Sequence, residues 1–225
     1  MTKLFIVTAL LIHAVGSSLY AEGAPANSSP PRVLIIGDSI SMQYMPFVVE
    51  ALKGEAIVKR HHGNGGPTIR GVKNIDKWLG NGKWDVIHFN WGLWDMYGWE
   101  YWKEDRSPAR YKERLEALVT RLNKTGATLI WATTTPVCPA PEKTMVRRFK
   151  DGIAVISPET EKEYLDAARE VMEKHTIKIN DLYTLTKANR EAYALGDNDV
   201  HYNKEGRKKQ AEQVANTIRE AIKSE

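Results

Sequence analysis

Five short apolar runs, spaced along the chain and separated by helix-like patterns, constrain what it can fold into more than any other feature. They are "RVLIIGD" from Arg32, "EAIVKRH" from Glu55, "WDVIHFN" from Trp84, "ATLIWATTT" from Ala127 and "IKINDLYTLT" from Ile177. Each is of strand length, and the central ones carry no alternation of polar and apolar residues. That is the pattern of strands covered on both faces. Between them, "PFVVEALKG" reads as a helix ending at Gly54, and "IRGVKNIDKWLG" places Ile69, Val72, Ile75 and Leu79 on one helical face. "SPARYKERLEALVTRLNKTG" has Ser107 as N-cap, Pro108 at the first helical position and Gly126 past its end. "SPETEKEYLDAAREVMEKH" is a second capped helix, and "NKEGRKKQAEQVANTIREAI" closes the chain as a third. The segment from Pro136 to Pro158 reads as irregular loop.

Strand and helix in alternation predict an α/β domain, with a central parallel sheet of about five strands between helical layers. Ligands of such sheets bind outside the carboxyl ends of the strands. Attention therefore falls on four loops: Gly37-Asp38-Ser39, "GNGGPT" at 63–68, "NWGLWD" at 90–95 and "TTTPV" at 133–137. The glycine-rich loop is not a phosphate loop, because no Gly-Lys-Ser/Thr follows it.

The first residues read as an export signal. Lys3 precedes the apolar "LFIVTALLIHAVG", and the small residues of "SSLYAEGA" offer a cleavage site after Ala21. The apolar run is interrupted by His13 and falls short of the ~20 residues of a spanning helix, so no stable membrane insertion is expected after cleavage. Residues 22–31 are rich in Pro, Ser and Ala and read as a linker, leaving one domain over 32–225. Secretion or a periplasmic location follows. One cysteine, Cys138, excludes an internal disulfide; packing must hold the domain together. The net charge is +4, with lysines and arginines scattered along helices, which does not make the concentrated stripe expected of a nucleic-acid binder.

Ser39 follows the first apolar run directly, where a nucleophile would stand at the mouth of a sheet. As a bland alternative it is a helix-capping serine. A serine hydroxyl needs a base, and His201, in "GDNDVHYNKEG" just before the last helix, can fold back over the strand ends. A carboxylate or amide beside the imidazole would fix its tautomer, and backbone amides or an Asn side chain would hold the oxyanion. Ser39, Gly66 and Asn90 all stand just after predicted strands and can supply such donors.

On these blocks the chain resembles the SGNH hydrolases, the GDSL-type esterases. "GDSI" is similar to the first block, with Ser39 as nucleophile; "GNGGPT" to the second, with Gly66; "NWGLWD" stands at the third; "NDVH" and "YNKEG" resemble the last, with His201 as base. The resemblance implies a flavodoxin-like three-layer α/β/α fold. It also implies hydrolysis of acyl esters, often acetyl esters on carbohydrates, with no metal and no organic cofactor. Two positions depart from the family pattern. In Gly92-Leu93-Trp94-Asp95, Trp94 stands where the oxyanion asparagine is expected, leaving Asn90 or the Trp94 indole as replacement donors. Three residues before His201 stands Asn198 rather than an aspartate; either Asn198 or Asp199 then orients the imidazole.

Four of the seven tryptophans fall between 91 and 102. Packing of a long loop accounts for part of this. Trp91, Trp94 and Trp99 are also candidates for a platform on which sugar rings stack. The expected partner is thus an acylated small molecule or polysaccharide. A non-catalytic carbohydrate-binding domain and a lipase or thioesterase are the competing readings.

Overall fold

A computed structural model describes residues 29–223. The proposed signal and most of the linker lie outside the described residues. In chain order the elements are β1 (Arg32–Ile36), α1 (Ser39–Ala51), β2 (Ile57–Arg60), α2 (Thr68–Leu79), β3 (Val86–Phe89), α3 (Leu93–Tyr97), α4 (Pro108–Asn123) and β4 (Thr128–Ala132). They continue with β5 (Met145–Phe149), β6 (Gly152–Ile156), α5 (Pro158–Lys174), β7 (Lys178–Asn180), α6 (Leu182–Ala188), α7 (Arg190–Tyr193) and α8 (Lys204–Lys223).

The five expected strands form one sheet in the order β2-β1-β3-β4-β7, parallel throughout. This is the flavodoxin-like order, and it puts the ends of β1 and β3 side by side at the centre. β1, β3 and β4 are buried almost end to end, which is why their sequences are unbroken aliphatic runs. α1 packs with α8 in one helical layer, and α4 packs with α2 and α5 in the other, which makes the expected three layers.

Several elements differ from the sequence expectation. α1 does not start near Pro46 but at Ser39, because the Asp38 carboxylate accepts the Ile40 N–H at 2.9 Å and caps the first turn. Ser39 is therefore neither a cap nor a loop residue but the first residue of a helix. The segment 136–158 is not irregular: β5 and β6 pair as an antiparallel hairpin across Lys150 and Asp151. Met145, Phe149, Ala154 and Ile156 face the protein, while Val146 and Val155 face outward. The hairpin's inner face rests on the aromatic segment after α3, through Phe149 against Tyr97, Trp99 and Trp102.

Candidate active site

Ser39, Gly66 and Asn90 follow the carboxyl ends of β1, β2 and β3, and the loop before α8 brings His201 to Ser39. Ser39 Oγ lies 3.0 Å from His201 Nε2, and His201 Nδ1 lies 2.7 Å from Asp199 Oδ1. With the carboxylate accepting at Nδ1, the proton sits there and Nε2 presents its lone pair to the serine. Asp199 Oδ1 also accepts the His201 backbone N–H at 2.9 Å, so one oxygen fixes both the residue and its ring. Burial pushes the Asp199 carboxyl up, but the two His201 hydrogen bonds and the nearby His201 and Arg147 charges more than offset this and hold it below its usual range.

The loop that presents His201 is fixed by its flanks. Val200 and Tyr202 are buried on either side, Leu195 N–H donates to the His201 carbonyl, and Asn203 N–H donates to Tyr193. Arg190 clamps the turn by donating to the carbonyls of Pro136 and Asp197. Asn198 is exposed on that turn and has no part in this arrangement. The departure from the family spacing is thus resolved by position: the aspartate two residues before the histidine faces the imidazole.

Beneath the serine, the Gly37 carbonyl collects donors. Arg60 Nη2 reaches it at 2.6 Å and Gly65 N–H at 2.9 Å. Arg60 also donates to the Ser41 hydroxyl and to the carbonyls of His61 and Gly63. A Cβ on Gly65 would stand 2.7 Å from the Gly37 oxygen, so only glycine lets the two loops meet. His61 fills the space below: it stacks on Trp78, its Nδ1–H faces the His62 carbonyl, and its Nε2 accepts the Gly37 N–H at 3.3 Å. Burial and the Arg60 charge push it down to about 4, so the ring is neutral. The sequence signal for Arg60 and His61 is their place at the end of β2, the strand paired with β1, and for Gly65 it is the glycine-rich loop that follows.

The oxyanion candidates are brought to this edge but are not equally free. The Ser39 N–H, in the first turn of α1, has no intrahelical partner. The Gly66 N–H donates to Asn64 Oδ1 at 2.8 Å. Asn90 does not present its amide to the serine: Nδ2 donates to the Ala132 carbonyl at 2.8 Å and to Thr134 Oγ1 at 3.3 Å, which ties β3 to β4. Trp94 stacks on Trp99, with ring centroids 5.0 Å apart, and Arg70 lies over it at 5.3 Å.

Asp95, next in the chain, is fully buried. It accepts the Thr68 N–H and hydroxyl, joining the glycine-rich loop to α3. Burial pushes its carboxyl up to about 7, against the pull of Thr68, Arg114 and Arg106. Gly92, at φ 145°, has its Cβ position 2.4 Å from Thr134 Oγ1, so the backbone turns there only without a side chain.

The three tryptophans separate. Trp91 is 1% exposed and belongs to the core, so it cannot serve as a sugar platform. Trp99 is 45% exposed but sits between Trp94 and Phe149, the latter at 5.6 Å. The two outer tryptophans thus form an aromatic ladder with the hairpin, and a ligand would meet ring edges more than open faces. Cys138 is buried, and burial beside Glu161 pushes its thiol up to about 11, consistent with a packing role. Among the described residues no cluster of His, Cys, Asp or Glu could hold a metal ion, and no helix is long and apolar enough to cross a membrane.

A central parallel sheet in flavodoxin-like order between helical layers is the fold shared with solved structures described as SGNH and GDSL-type hydrolases. No family model and no curated protein matches the sequence. Solved structures do match over most of the chain. An acetyl xylan esterase superposes with a TM-score of 0.66 at 15% identity, covering 83% of this chain and 99% of that one. A lipase/acylhydrolase from Enterococcus faecalis gives 0.64 at 18% identity, covering 84% and 96%. A member of the lipolytic G-D-S-L family from Veillonella parvula gives 0.60 at 18% identity, covering 84% and 98%.

Proposed function

We propose that the chain is an exported serine hydrolase of acyl esters, acting on acetyl groups carried by a carbohydrate. The observation that carries this reading is the unbroken line of hydrogen bonds from Ser39 Oγ through His201 to Asp199. Ser39 Oγ attacks the ester carbonyl as His201 Nε2 takes its proton, and Asp199 stabilises the imidazolium that results. The tetrahedral oxyanion faces the Ser39 N–H and the glycine-rich loop carrying Gly66. Its collapse expels the alcohol, which receives the proton from His201. Water, deprotonated by the same imidazole, then attacks the acyl-enzyme and releases the carboxylic acid.

The carbohydrate preference is supported by an acetyl xylan esterase among the structural neighbours. Export rests on the N-terminal sequence pattern. The test is a fluorophosphonate probe together with acetate release from acetylated polysaccharides. Ser39→Ala should abolish labelling and turnover; labelling that persists in that variant would overturn the assignment.

A further inference from the structure

A groove of about 500 Å³ runs up the open side of the sheet, lined by β2, by α2 and by the turn that follows α2. Arg32, Lys59, Arg60, Arg70 and Lys77 line it, and no carboxylate does. The chain as a whole has 32 basic and 28 acidic residues, so bulk composition does not produce an all-basic lining. Other hollows are mixed: the one at the start of α4 sets Glu104, Asp105 and Glu113 against two arginines.

The cations differ in what they are doing. Arg60 is occupied by backbone carbonyls, and Arg70 by Glu100 and the Tyr101 hydroxyl. The side chains of Arg32, Lys59 and Lys77 form no ion pair among the described residues. Lys59 and Lys77 are exposed, and the Arg32 guanidinium lies over the Trp84 ring at 4.8 Å. Trp78 and Trp84 give the groove an apolar lining beside this charge. Unpaired cations in a concave wall attract anions from a distance and hold them where solvent is partly excluded.

At its upper end the groove reaches the candidate oxyanion loop. Asn64 lines it and accepts the Gly66 N–H, and the Arg70 side chain stands over Gly66. A chain lying in the groove therefore emerges at the glycine-rich loop that carries Gly66. We propose that this groove binds an acidic glycan, a polymer with carboxylates along its length, and that this is the carrier of the ester. The inference rests on the hydrolase reading for its direction, but the binding itself is independent of Ser39.

The test uses the full chain and oligogalacturonates, with neutral xylo-oligosaccharides of equal length as control. Calorimetric titration should show binding of the acidic oligomer that weakens as salt is raised and is at least tenfold tighter than that of the neutral one. Lys59→Glu with Lys77→Glu should weaken it about tenfold and leave turnover of a small activated acetyl ester unchanged. Lys59→Gln with Lys77→Gln should give a smaller loss, and unaltered circular dichroism separates lost binding from lost fold. Equal affinity for acidic and neutral oligomers, or an affinity indifferent to both double variants, would overturn the proposal. Single-stranded DNA binding as tightly as the oligogalacturonate would assign the groove to polyanions at large and overturn it as well. Labelling that persists in Ser39→Ala would overturn the hydrolase reading and leave oligogalacturonate binding untouched, while lost binding in the lysine variants leaves Ser39 labelling intact, so the two readings fail separately.

Discussion

At the scale of single residues, the chemistry depends on which neighbour faces the imidazole. Asp199 reaches His201 Nδ1 while Asn198 is turned to solvent, so substitutions at adjacent positions should differ sharply. Asp199→Asn removes the charge that stabilises the imidazolium and permits the wrong tautomer, and kcat should fall by roughly 10²–10⁴. Asn198→Ala should leave kcat within about twofold. Steady-state kinetics on a small activated ester check both. If the second variant lost as much as the first, the line from Ser39 to Asp199 would not be the working one. The sequence made Ser39 and His201 legible because strand ends and a final helix fix where those residues fall. It left Asn198 and Asp199 open because spacing alone does not say how a four-residue turn points its side chains. Asn90 teaches the same lesson in reverse. Its place at the end of β3 is plain from the sequence, but both amide hydrogens are used between strands. Asn90→Ala should therefore lower stability by about 1–2 kcal/mol, read as a shift in the urea midpoint. Its effect on kcat should stay below tenfold, against the roughly 10²–10³ lost with an oxyanion donor.

At the scale of elements, three connections position the site. The first is the end of β2, where Arg60 fastens the nucleophile turn to the glycine-rich loop. Arg60→Met keeps the apolar stem but leaves the Gly37 and Gly63 carbonyls short of a charged donor. A loss of about 2–3 kcal/mol is expected in urea unfolding, with kcat reduced more than KM is raised. Unchanged kcat with lowered stability would make Arg60 a purely structural tie. The second is Asp95, which joins that loop to α3. The third is the β5–β6 hairpin, whose Arg147 lies over Phe149 and acts on Asp199 from the inner face. The hairpin has a partial sequence signal: Lys150 and Asp151 are polar turn residues between two strand-length runs, with Gly152 opening the second. Its flanking prolines and charges disguised it, because an isolated hairpin gains its stability from what it packs on, and that partner is 50 residues away in sequence. Phe149→Ala removes the ring shared by Tyr97, Trp99 and Trp102. It should cost about 1–3 kcal/mol and raise KM for a polymeric ester more than for a small one, as measured on both substrates.

At the scale of the whole molecule, burial of ionisable groups along the central strands and the site couples stability to pH. His61 and His88 are held near 4 by burial, from an unfolded value near 6.5; for His61 the Arg60 charge adds to it. Because the folded state disfavours their charged forms, their contribution is complete above pH 6.5 and is lost as pH falls through 4. Asp95 runs the other way. Its folded value near 7 lies above the unfolded one of 3.8, so its contribution is complete below about 4 and is lost as pH rises through 7. Asp38, also raised chiefly by burial, acts in the same sense as Asp95. Between pH 4 and 6.5 the two histidines raise stability with pH while Asp95 and Asp38 lower it, so the wild-type urea midpoint is a balance of opposed limbs. His88→Gln takes one histidine out of that balance, and its urea midpoint should gain on the wild type as pH falls from 6.5 to 4. Asp95→Asn mimics the protonated acid and should gain on the wild type as pH rises from 4 to 7. Variants whose midpoints run parallel to the wild type from pH 4 to 8 would mean that these buried groups do not control the stability of the sheet.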